Sequence, residues 1–78
     1  MKSDSLRAQV ARYFMSQGVH ADSEDLAAVE MNLMAMGVTD YTPLSVDTIE
    51  ECIQRSGLTE LLQYRYPEWE MVGSVPNF

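Results

Sequence analysis

This chain has a single lysine, one cysteine, one histidine and no long apolar run. Each scarcity removes a class of function. Cys52 has no partner for an internal disulfide, and no zinc site can be built from thiolates. A lone thiol fits a reducing compartment. His20 is the only imidazole, and no nucleophile is paired with it in the sequence, so a Ser-His-acid or Cys-His arrangement is not expected. No glycine-rich phosphate loop occurs, and the D-x-[DN]-x-[DN]-G spacing of a calcium hand is absent. His20, Asp22, Glu24 and Asp25 lie close enough to offer imidazole and carboxylate, but the acids fit the first turn of a helix. The expectation is therefore a non-enzymatic chain with no cofactor and no metal. No apolar stretch approaches the ~18 residues that span a bilayer. The start, M-K-S-D-S-L-R, carries an acid and lacks the apolar segment of a secretory signal. A cytoplasmic location without membrane attachment is expected.

Positive charge is also missing from the middle of the chain. Net charge is −7, and residues 16–54 hold Asp22, Glu24, Asp25, Glu30, Asp40, Asp47, Glu50 and Glu51 with no lysine or arginine. Residues 1–15 sum to +2 and residues 55–78 to −1. Binding to a phosphate backbone needs clustered Lys and Arg, so direct nucleic-acid binding is not expected. The acids either keep a small domain dissolved or meet a protein with a basic surface.

What is present is helical periodicity. The 78 residues suggest one helical domain, 1–78; such a chain buries only about 60 to 65% of the surface its unfolded form exposes. The stretch Asp22–Gly37 organises it. At ~100° per residue, Leu26, Val29, Leu33 and Met36 share one face. Ala27, Met31 and Met34 form a second stripe with Glu30 in the seam. A helix apolar over so much of its circumference is usually covered by several neighbours. The second stripe either lies under a later helix or serves as a soft surface for a partner, a role suited to methionine.

The other helices follow from caps and stripes. Ser3, Asp4 or Ser5 can cap a helix over about 4–17, with Leu6, Val10, Tyr13 and Phe14 on its core face. Asp22 caps the second, 23–36, with Asp25 placed as in a capping box. After a loop at 39–43, Ser45 caps the third, 46–56, and Leu44 can staple onto Ile49. Val46, Ile49 and Ile53 form its core stripe with Cys52 at the edge, and Asp47, Glu50, Glu51 and Gln54 gather opposite. Thr59 caps a short fourth helix, 60–66. Gly18-Val19, Gly37-Val38 and Gly57-Leu58 each read as a glycine closure followed by an apolar residue that packs back on the last turn. The fold class is thus all-α, a small compact bundle of four short helices with an apolar C-terminal segment packed on it.

Two short stretches resemble known families over a few residues each. Asp22-Ser23 at a helix start, together with the length and acidity, is similar to an acyl carrier protein. That family places leucine after the phosphopantetheine-bearing serine and has a long first loop. Here Glu24 follows and the loop is short, so no attachment at Ser23 is expected. Met36-Gly37-Val38, with a helix and Gly57 after it, resembles the Met-Gly-Phe loop of ubiquitin-associated domains, but the aromatic is absent. A helix-turn-helix also fails, because Gly37 to Leu44 is too long a connection and the third helix is acidic.

The remaining expectation is a small acidic protein-binding module, regulatory or inhibitory in role. Its candidate contact residues are Asp47, Glu50, Glu51, Asp22, Glu24, Asp25, Met31, Met34, Trp69 and Phe78. Two alternatives stand beside it: an acidic nucleic-acid-mimicking decoy, like a phage-type inhibitor of a DNA- or RNA-binding defence enzyme, and a structural helical homodimer. The aromatic end of the chain bears on both. Trp69 is expected to pack within the monomer, whereas Val75–Phe78 would be held by a partner.

Overall fold

The computed structural model describes residues 5–40 and 44–72. Those residues form four helices and no strand: α1 (Leu6–Met15), α2 (Ser23–Ala35), α3 (Val46–Arg55) and α4 (Thr59–Arg65). Asp4, Phe78 and most of the loop expected at 39–43 lie outside the described residues.

Local chemistry sets the ends. Ser5 Oγ accepts from the Ala8 N–H at 3.1 Å, and Ser45 Oγ from the Thr48 N–H at 3.2 Å, so both serines act as caps. Gly18, at φ 76°, takes the left-handed conformation that lets α1 close. The Val19 N–H then reaches back to the Phe14 carbonyl, and the Gly18 N–H to that of Met15. The same pair of bonds recurs at Gly37-Val38 and Gly57-Leu58. These closing turns occupy the last residues that periodicity had assigned to helix.

The expected caps on α2 and α4 differ. Asp22 stands at the N-cap position, but its carboxylate caps nothing; it takes Arg65 of α4 instead. Thr59 is the first residue of α4 and not its cap. α1 gains an unexpected partner at its start, where the Leu6 N–H donates to Asp40 Oδ1 at 2.8 Å. A carboxylate there also faces the positive end of the helix dipole.

α2 packs against both α1 and α3. Val10 and Phe14 of α1, Val29 and Leu33 of α2, Ile49, Cys52 and Ile53 of α3, Leu62 of α4 and Trp69 form one buried cluster. Leu26 is only partly buried against it. Met36, expected in the core, is 38% exposed. It lies in the closing turn, and the Val38 beyond it is the residue that turns inward. Among the described residues, no helix is long and apolar enough to cross a membrane.

Candidate protein-binding site

The acidic residues do not form one face. Asp47, Glu51 and Glu24 are exposed, and Glu51 holds Arg55 one turn on at 3.3 Å. Asp22 is exposed but paired, its Oδ2 3.0 Å from Arg65 Nη2. Asp25, 8% exposed, accepts from Arg65 Nε at 2.9 Å and from the Tyr66 hydroxyl. The same hydroxyl accepts the Asp22 N–H at 2.8 Å. Arg65 and Tyr66 thereby fasten the end of α4 to the start of α2. The guanidinium offers both carboxylates a charged donor, and each such bond pairs full opposite charges where a cap would pair a carboxylate with a backbone dipole.

Glu50 is the larger correction. Instead of facing solvent beside Asp47 and Glu51, it is 1% exposed. Its position explains this: Ile49, Glu50, Cys52 and Ile53 are the buried residues of α3, and Glu50 stands one turn before Ile53 and beside Ile49 on that arc, while Val46, expected in the core stripe, is 42% exposed at the first turn. Glu50 Oε2 accepts from the Tyr13 hydroxyl at 2.6 Å and from the Val72 N–H at 2.8 Å. Tyr13 Oη in turn accepts the Trp69 indole N–H at 2.9 Å. Trp69, 1% exposed, is therefore an anchor inside this chain and not a surface residue. Its ring sits 6.1 Å from that of Phe14, tilted by 49°.

Burial, and secondarily Glu50, makes Tyr13 hold its phenolic proton more tightly than usual; burial does the same for Tyr66. The ordinary tyrosine value is about 10. A raised folded pKa gives stability that is fully present below that value and lost as pH rises through the folded pKa. The urea midpoint is thus expected to hold up to about pH 9 and to fall above about pH 10. Urea titrations across this range check it; a flat midpoint to about pH 11 would contradict the buried-phenol assignment.

Cys52 is fully buried and its Sγ lies 3.9 Å from the Val29 carbonyl oxygen. Burial raises its pKa, which keeps it a neutral, unreactive thiol. His20 is exposed beside a hollow of about 250 Å³ that Arg65, Tyr66 and Glu68 also line. Arg65 there is already held by two carboxylates. Among the described residues, no group of His, Cys, Asp and Glu could hold a metal ion.

The outer face of α2 is different in kind. Met31 is 68% exposed and Met34 59%, with Ala35 exposed beside them. No basic residue lies on α2. Glu24 stands exposed at one end of this face. At the other, Met34 and Asp40 line a hollow of about 320 Å³ with Leu6 and Val38. Along its flank Glu30 takes Arg7 of α1 at 3.0 Å. Of the ten candidate residues, the structure brings Met31, Met34 and Glu24 onto one exposed helix face. It sends Glu50, Asp25 and Trp69 inward, and Phe78 lies outside the described residues. Sequence reasoning missed Asp40 as a neighbour of Met34. It also missed Tyr13, Gln17 and Tyr66 as polar partners, since each bond spans tens of residues. No protein-family model matches the chain, and no curated protein or solved structure matches it either.

Proposed function

We propose that this chain is a non-enzymatic protein-binding module that receives a basic amphipathic helix on the outer face of α2. The observation that carries the reading is the exposure of Met31 and Met34 on a helix whose opposite face, Val29 and Leu33, is fully buried. Methionine is flexible and polarizable, so it adapts to an apolar partner. The small Ala35 beside it lets a helix approach closely. Glu24 and Asp40 at the two ends complement lysines or arginines that flank the partner's apolar side chains. Such a module acts by occupying its partner, as a regulator or inhibitor does.

The nucleic-acid decoy is the weaker alternative. It needs a dense exposed array of carboxylates, and Glu50 and Asp25 are buried. The test uses a synthetic amphipathic peptide with leucines at i, i+3 and i+7 and lysines grouped at both ends, titrated calorimetrically. Met31→Glu with Met34→Glu is expected to weaken binding at least about tenfold. As both side chains are exposed, stability should change by no more than about 0.5 kcal/mol. Equal affinity for a peptide with glutamates in place of the lysines, indifference to the methionine changes, or no binding at all would each overturn the reading.

A further inference from the structure

The seven residues after Arg65 enter the core in an unusual way. Tyr66 ends α4 outside the helical region, at φ −130° and ψ 82°, in keeping with the residue before a proline being disfavoured in helix. Pro67 and Glu68 then make an exposed turn, closed by the Trp69 N–H on the Tyr66 carbonyl at 2.9 Å. Beyond Trp69, no described backbone–backbone bond ties residues 70–72 to a helix. Side chains hold them instead. The Glu70 N–H donates to Gln17 Oε1 at 2.8 Å, and Gln17 Nε2 donates to the Glu70 carbonyl at 2.8 Å. Two residues on, the Val72 N–H donates to Glu50 Oε2. Between them, Met71 is partly buried, with Gln54 Nε2 3.6 Å from its sulfur.

This is the bonding of a peptide in a recognition groove. Gln17, in the turn that closes α1, and Glu50 of α3 clamp the backbone of alternate residues, as a neighbouring strand would. The side chains of Glu70 and Val72 point to solvent and are not read. Selectivity rests on one indole, seated on Phe14 with its N–H on Tyr13, and on the thioether of Met71.

We infer that the α1–α3 groove is a peptide-binding site which residues 69–72 occupy in cis, and which accepts the same segment from a second copy of this chain. A second copy supplies an identical ligand, so every contact of the closed form is remade in the exchanged one. Pro67 to Trp69 span at most about 11 Å when extended. The two copies must therefore sit groove to groove and exchange segments reciprocally. In the single chain the tether supplies an effective concentration on the order of millimolar. The closed form dominates at low concentration, and exchange grows as the protein approaches that range.

The test keeps the full chain. Ser16→Cys, beside Gln17, is made in one preparation and Glu70→Cys in another. Both positions are exposed, and Cys52 is buried and silent to maleimides. The two are mixed at about 1 mM, warmed below melting, cooled, diluted and treated at once with a short bis-maleimide. Exchange places position 70 of one chain against position 16 of the other. Mixed dimers are then expected to exceed like-with-like dimers by at least about tenfold. Mixed dimers no more abundant than chance pairing gives, or no cross-linked dimer at all, would overturn the inference.

Discussion

Trp69→Ala is expected to remove about 3 to 5 kcal/mol of stability. Trp69 is the largest fully buried side chain, and it closes the core over Phe14. Its removal opens a cavity that the short segment around it cannot collapse to fill. It also takes the indole N–H from Tyr13 Oη, in a network that is buried throughout. Single domains are held by only about 5 to 15 kcal/mol in all, so the substitution should leave a large part of the population unfolded. Urea unfolding followed by far-UV circular dichroism measures this, since the variant has no tryptophan to report. A midpoint close to that of the parent would show that the indole is not a core element.

Glu50 gives the second large effect, and a pair of variants separates its causes. Glu50→Ala leaves the Tyr13 hydroxyl and the Val72 N–H without this acceptor. Orphaning a buried donor costs about 1 to 3 kcal/mol; the Tyr13 hydroxyl is buried and the Val72 N–H only partly so, and a loss of about 2 to 4 kcal/mol is expected. Glu50→Gln keeps a carbonyl oxygen that can accept both bonds and should cost only about 1 kcal/mol. Amide exchange of Val72 adds a local readout: it should speed up in the alanine variant and change little in the glutamine one. Equal destabilisation by the two would mean that charge, and not acceptor capacity, fixes the C-terminal segment.

Both substitutions bear on how α1, α3 and the C-terminal segment are joined. Tyr13, Glu50 and Trp69 come from three separate parts of the chain and meet in the interior. A polar network satisfied in this way specifies one arrangement of the elements, because a shifted packing would leave its donors without partners. The surface on the outer side of α2 is spared from it, and this is why Met31 and Met34 can be altered without touching the core.

The helices and their closures are legible along the chain. Ser5 and Ser45 cap through a hydroxyl reaching three residues ahead, and the glycine turns close through bonds five residues long. Such signals lie within one or two turns and can be read in order along the chain. The same holds for Val29 and Leu33, where the 3.6-residue period alone selects the buried face. The roles of the acids depend on how distant elements pack together. Asp22 and Asp25 bind Arg65 some forty residues away, and Glu50 meets Tyr13 from a different helix. Local capping rules cannot foresee a charged partner delivered by the packing of another element, and a carboxylate at a core position is read as surface until its donors are known. Burial of the two methionines was likewise open in the sequence. Apolar residues around most of a helix must find cover only where neighbours exist, and the described elements cover one face of α2 while leaving the other bare.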